Sequence, residues 1–204
     1  MIKVFKTPLL IRWFYHRRVW GFSNSKHVYL TFDDGPTVAM TRWILATLKD
    51  KGVKATFFCV GQNVKDNPEF LEAIIEDGHA VGNHTMHHEK GSDVESTAYL
   101  ESISEASKYI NSNLFRPPYG RLSIWKSKKI RKKYKIIMWS WLSYDYDHDV
   151  PVEDILNSAE RQIVGGDVLV LHDNIKVEER LKIILPAIID IVHKKGLSFE
   201  VIAS

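Results

Sequence analysis

The feature that most constrains this chain is a repeated change of hydrophobic period that begins at residue 27. Short apolar, β-prone runs alternate with longer stretches of helical spacing, and the runs end in polar residues. HVYLTF (27–32) reads as a strand closing on DDGP, and residues 39–51 suit a helix that turns Ile44, Leu45 and Leu48 inward. VKATFFCV (53–60) is the next strand and NPEFLEAIIEDG (67–78) the next helix, with Pro68 near its first turn and Gly78 near its stop. HAVGN (79–83) predicts a short strand, 94–111 the longest helical pattern, and NLFRPPYG (113–120) a strand entering a proline-stiffened loop. Helices are then predicted over 122–133, 151–164 and 178–196, the last bent or interrupted at Pro186, and strands over 134–140, 166–173 and 197–202. Strands separated by single helices imply a mostly parallel α/β sheet with functional side chains at the strand C-terminal ends. About seven such units suggest a small barrel rather than a long open sheet.

With 204 residues, 45% of them hydrophobic, the chain can close one sizeable core. The expected organisation is a basic, aromatic arm over 1–25 that packs on a single domain over 26–204. Net charge is only +3 but unevenly placed: no acid precedes Asp33, whereas Lys3, Lys6, Arg12, Arg17, Arg18 and Lys26 do. A second basic run, KSKKIRKKYK, occupies 126–135. Such runs can meet nucleic acid or anionic surfaces, but a solvated helix face is the simpler reading, and no nucleic-acid partner is expected. The start MIKVFKTPLLIRWFYHRRVW is interrupted by arginines and followed by no small-residue cleavage site, so it is a poor signal peptide and too short to span a bilayer. It could instead lie at a headgroup layer through Trp13, Phe14 and Trp20. A bacterial cytoplasmic or membrane-peripheral location follows from sequence alone. The lone Cys59 excludes an internal disulfide and any Cys-rich zinc site, and reads as a buried strand cysteine.

Five segments carry chemistry. In GNHTMHH, His84 and His88 stand four apart, the spacing that stacks side chains on one helix face, and His87 points elsewhere. Two imidazoles plus one carboxylate form a usual catalytic zinc set, with Asp34 of TFDDGP the natural third ligand. Its neighbour Asp33 then stays free to accept a proton from water. On its own, DDG reads equally as a polar turn with Asp capping a helix. RPPYG (116–120) offers Arg116 to orient a catalytic acid, and a loop N–H to meet an oxyanion. WSWLSYDYDHD (139–149) supplies aromatic faces for sugar stacking, and LHD (171–173) sets His172 beyond an apolar strand, where Asp145 could pair with it.

Taken in order, TFDDGP, HTMHH, RPPYG, the WS…Asp145-Tyr146 segment and LHD resemble the polysaccharide deacetylase family with the NodB homology domain, also called carbohydrate esterase family 4. ATFF (55–58) with Gly61, and GHAVGNH (78–84), resemble it too, so the likeness spans about residues 26–202. The resemblance implies a distorted (β/α) barrel and metal-dependent removal of acetyl from an N-acetylated sugar by a monomer acting on an acetylated glycan. It assigns Asp33 as general base and Asp34, His84 and His88 as ligands of one divalent ion, zinc by default with cobalt or nickel as variants. Arg116 braces Asp33, the Tyr119 N–H meets the oxyanion, and His172, tuned by Asp145, is the general acid. Pro118, Trp141, Tyr146, Val170 and Leu171 are expected to line the glycan surface. Two departures stand out: the family's Asp-x-x-Asp-Trp is here Leu142-Ser143-Tyr144-Asp145-Tyr146, and Val170 replaces the Leu of Leu-x-His. Both alter walls rather than reacting groups. An O-acetyl esterase and a catalytically silent carbohydrate-binding domain are the alternatives.

Overall fold

The computed structural model describes residues 3–23 and 26–203; residues 1, 2, 24, 25 and 204, at the ends of the expected arm and domain, lie outside the described residues. The arm carries one short helix, α1 (Leu9–Phe14). The alternating pattern then gives β1 (His27–Asp33), α2 (Val38–Asp50), β2 (Thr56–Cys59), α3 (Gly61–Asp66), α4 (Pro68–Glu76), β3 (Ala80–Asn83) and α5 (Ser96–Ala106). It continues as β4 (Leu114–Phe115), α6 (Ile124–Ile130), β5 (Lys135–Ile136), β6 (Trp141–Leu142), α7 (Val152–Gln162), β7 (Val168–His172), α8 (Glu178–Lys194) and β8 (Ser198–Phe199).

Seven strands pair in the order β5-β4-β3-β2-β1-β7-β6, all parallel, and curl into a distorted half-barrel; β8 adds to the start of β1. β1 is buried along all but its first residue because it is central and covered on both faces. Helices pack their apolar stripes outside it: α2 buries Met40, Ile44, Leu45 and Leu48, and α8 buries Leu181, Ile184, Leu185, Ile188, Ile189 and Val192. That long α8 stripe explains why the helix continues past Pro186 rather than stopping there. Burying six aliphatic side chains outweighs the roughly 3 kcal/mol that an internal proline costs. Cys59 sits in this core, and burial pushes its thiol well above the usual range.

Of the expected strand over 134–140 only β5 forms, β6 follows beyond it, and the arm pairs with the residues between them. Val19 N–H donates to Ile136 O (2.9 Å) while Met138 N–H donates to Val19 O (2.7 Å), so the arm takes the place of a barrel strand at the β5 edge. At the other edge Leu142 N–H donates to Phe5 O (2.9 Å) and Thr7 N–H to Ser140 O (2.9 Å). The arm thus covers both open edges of the half-barrel, where unpaired backbone groups would otherwise face solvent. Ion pairs of Lys3 with Asp147 and Lys6 with Asp167 hold it down. Among the described residues no helix is long and apolar enough to cross a membrane.

Candidate active site

The polar strand ends converge because the sheet is parallel. Register pairs Asp33 at the end of β1 with His172 at the end of β7, while Asn83 at the end of β3 faces Phe115 of β4 and delivers His84 and Arg116 to the same rim. The two neighbouring acids separate there. Asp33 is the last residue of β1 and is buried; Asp34 lies outside the strand with φ 77°, a left-handed residue that turns its side chain away. Three contacts lock that turn. Asn63 Nδ2 donates to Asp34 O (2.8 Å), Val60 N–H to Gly35 O (2.8 Å) and Asp173 N–H to Asp33 O (2.8 Å). Gly35 is required, because a Cβ there would fall 2.2 Å from Asp173 Oδ2. Asp173 in turn accepts hydroxyl hydrogen bonds from Thr37 (2.7 Å) and Thr41, and burial raises its carboxyl to about 6. Asn63 and Asp173 are thus supports that motif reading missed. Helix α3, which carries Asn63, is too short to show a helical period.

Asp34 Oδ1 lies 3.0 Å from His88 Nε2 and 3.7 Å from His84 Nε2. The expected helical stacking of the two histidines is corrected here. Residues 84–88 form no helix; positive φ at Thr85 (66°) and His88 (59°) folds the segment into a loop that brings the rings to 5.1 Å. Side chains hold the loop, with Thr85 N–H donating to Asn83 Oδ1 (2.9 Å) and Met86 N–H to Ser102 Oγ (2.9 Å). His87 is exposed.

Donor chemistry tests whether a divalent cation fits. Ligand atoms of Asp34, His84 and His88 all lie within 4.8 Å of one another. His84 Nδ1 lies 2.8 Å from the Arg116 carbonyl, an acceptor that fixes the proton on Nδ1 and leaves the Nε2 lone pair toward Asp34. Burial lowers His84 to about 4, so the ring is neutral at pH 7, the state a ligand needs. Burial opposes charge on Asp34, but the His88 hydrogen bond and the surrounding imidazoles prevail and hold its carboxyl well below the usual range. One carboxylate and two imidazoles in a partly open cluster fit a zinc-like ion with sites left for other ligands.

Asp33 faces a different partner. Arg116, fully buried, donates from Nη1 to Asp33 Oδ1 (2.6 Å) and Thr31 Oγ1 (2.6 Å). Its other nitrogens reach Met138 O (3.0 Å) and Ile137 O (3.3 Å), and its guanidinium stacks 4.1 Å over Phe58. Tyr119 follows in a 3₁₀ turn (Pro118–Gly120) at φ 58°, its ring 4.7 Å from that of His88. Gly120 (φ 65°) permits the turn, since a Cβ would meet the Trp139 ring at 2.5 Å.

His172 completes the rim. Asp145, fully buried, accepts from His172 Nδ1 (2.7 Å), His172 N–H (2.8 Å) and Ser143 Oγ (2.8 Å). Burial pulls the imidazole down, but the charge and hydrogen bond of Asp145 overcome it and raise His172 to about 9. With Nδ1–H held by Asp145, Nε2 is left as the other proton site on the ring.

These groups share a cavity of about 670 Å³. Of the residues expected to line the glycan surface, Tyr146 and Val170 do; Tyr146 is half exposed, its ring edge-on to His172 at 5.0 Å, and burial pushes its hydroxyl up to about 12. Trp141, Leu171 and Pro118 do not. Trp141 is fully buried, stacks on Phe5 and donates its indole N–H to Ser158 Oγ (3.0 Å), Leu171 points into the core, and Pro118 is buried beneath its turn. Trp139 lines the cavity instead. In an unbroken strand Trp139 and Trp141 would share a face, but the break between β5 and β6 removes that parity. Leu142 and Val170, the two departures from the family pattern, are register partners on β6 and β7 and form one apolar wall. Arg180 ties down the loop beyond, donating to Asp145 O (3.0 Å) and Val150 O (2.6 Å).

A family model described as polysaccharide deacetylase matches residues 22–136. A peptidoglycan-N-acetylglucosamine deacetylase of Bacillus cereus is 31% identical over 89% of this chain and 88% of its own length. A chitooligosaccharide deacetylase of Rhizobium leguminosarum bv. trifolii is 30% identical over 87% and 91%. Among solved structures, a peptidoglycan N-acetylglucosamine deacetylase superposes with a TM-score of 0.86 at 29% identity, covering 93% of each chain. The family 4 carbohydrate esterase from Streptomyces lividans, in complex with acetate, gives 0.76 at 28% identity, covering 88% of this chain and 94% of that one. A family model that covers more than half of the sequence, and relatives similar along most of the rest, leave one conclusion: this chain belongs to the polysaccharide deacetylase family.

Proposed function

We propose that this enzyme hydrolyses the N-acetyl groups of an amino-sugar polymer or oligomer, releasing acetate and a free amine, with Asp34, His84 and His88 holding one divalent cation. The donor set favours zinc, with cobalt or nickel able to replace it. When bound, the cation supplies Lewis acidity toward water and toward the acetyl carbonyl. Asp33, paired with and oriented by Arg116, takes the proton of the attacking water. The Tyr119 N–H faces the oxygen on which negative charge develops. His172 then gives its proton to the departing nitrogen, because an unprotonated amine is a poor leaving group, and Asp145 steadies the imidazolium. The half-exposed Tyr146 ring and Trp139 offer faces for the sugar. A monomer is the proposed working unit.

One observation carries this reading: adjacent acids with divided duties, Asp34 against two imidazoles and Asp33 against a buried guanidinium. The names of the relatives, which act on peptidoglycan N-acetylglucosamine and chitooligosaccharides, support N-acetylglucosamine polymers as the first substrates to try. The test is acetate release from N-acetylglucosamine oligomers, peptidoglycan and an O-acetylated glycan, after chelation and after adding zinc, cobalt or nickel. Release from the N-acetylated substrates that stops with chelator and returns with metal is expected. Release from the O-acetylated glycan alone makes the protein an esterase. No release from any substrate by the metal-loaded protein makes it a silent binding domain.

A further inference from the structure

The arm does more than cover sheet edges; it carries an apolar surface that nothing in the chain buries. Helix α1 has no buried residue. Leu9, Leu10, Trp13 and Phe14 fall at i, i+1, i+4 and i+5, one face of the helix, while Ile11 turns toward the body and lines the groove leading to Tyr119 and Trp139. Beside α1, helix α6 presents Ile124 and Trp125. These six side chains are between 50% and 76% exposed, and Phe14 faces Ile124 across a cavity of about 210 Å³.

The patch is fixed in place. Buried Arg18 donates to Leu122 O (2.8 Å) just ahead of α6 and stacks 4.4 Å over Tyr15, and Trp20 donates its indole N–H to Tyr15 O (3.1 Å). Within the two segments that carry it the charge has one sign, the exposed acids Asp93 and Glu95 lying on the adjacent loop. Residues 3–23 and 121–135 contain no acid, and Arg17, Lys128, Lys129, Arg131, Lys132 and Lys133 are exposed. No ion pair found among the described residues engages any of those six, whereas Lys3 and Lys6 of the same arm are paired.

We infer that α1 and α6 together form a docking surface for an anionic lipid bilayer. The apolar face enters the headgroup boundary while the flanking cations meet lipid phosphates. A basic flank beside exposed Trp, Phe and Leu is what interfacial binding requires, and the absence of acids from both segments limits the repulsion that would oppose it. Nucleic acid would satisfy the cations but has no apolar phase to receive Leu9, Leu10 and Ile124, so the composition of the patch favours lipid.

The experiment is flotation of the full chain with phosphatidylglycerol-containing vesicles and with phosphatidylcholine vesicles. Binding is expected to the anionic vesicles only, and to weaken with salt. Leu10→Ser with Trp13→Ser should lower the partition coefficient at least tenfold with an unchanged unfolding midpoint, since both side chains are exposed. Lys128→Gln, Lys129→Gln and Lys132→Gln should each lower it about fivefold. The inference is overturned if the wild-type protein does not float with anionic vesicles, or binds phosphatidylcholine equally well. It is also overturned if L10S/W13S leaves the affinity unmoved, or if duplex DNA or RNA binds the patch and excludes vesicles.

Discussion

Replacing Arg116 by Met isolates what the buried guanidinium does. Methionine keeps most of the length and apolar volume but removes every donor. Lost are the hydrogen bonds to Asp33 and Thr31, both 2.6 Å, and those to the carbonyls of Met138 and Ile137. The greatest loss is electrostatic. Asp33 is only 5% exposed, and removing its partner leaves a carboxylate in low dielectric with no counter-charge. Breaking a buried pair in this way costs about 3–5 kcal/mol. Urea unfolding of R116M should show that loss as a lower midpoint at unchanged slope. The argument makes a second, sharper demand. Adding Asp33→Asn removes the stranded charge, so R116M/D33N should recover at least about 2 kcal/mol over R116M. A cost below about 1 kcal/mol for R116M, or no recovery in the double variant, would refute the view that Arg116 is the buried counter-charge of Asp33.

Two further outcomes follow from the His172–Asp145 pair. His172→Ala should cut acetate release from an N-acetylated substrate about 10²–10⁴-fold while bound metal, read by elemental analysis, stays stoichiometric; equal loss of metal would assign His172 to the cation site instead. Because folding raises His172 from 6.5 to about 9, its contribution of about 3 kcal/mol is whole below pH 6.5 and lost as pH rises through 9. Asp145→Asn removes the largest cause that raises it, so chemical denaturation of chelated protein should lose that pH-dependent decline, and a decline that persists would contradict the pairing.

Much of this was legible in the sequence because parallel α/β topology sends every strand end to one rim. Once TFDDGP, GNHTMHH, RPPYG and LHD were read as strand ends, Asp33, Asp34, His84, Arg116 and His172 had to meet. What could not be read was how the backbone aims them. Strand alternation alone would part Asp33 from Asp34 by pleat, and helical spacing alone would stack His84 on His88. The structure reaches both results through left-handed residues, Asp34, Thr85 and His88. A positive φ at a non-glycine residue leaves no periodic signal, because it is imposed by contacts from elsewhere, such as Asn63 on Asp34 O and Asn83 on Thr85 N–H. The same reason explains Trp139 and Trp141: parity fails where residues 5–22 of the arm insert their own hydrogen bonds between β5 and β6. The arm therefore decides which tryptophan lines the cavity, although no motif within it marks that role. Its inner surface sets the sheet edge beside the reacting cavity, while Leu9, Leu10, Trp13 and Phe14 remain free for another surface. A segment that read as a failed signal peptide is, in the fold, the piece that covers the edges of the half-barrel.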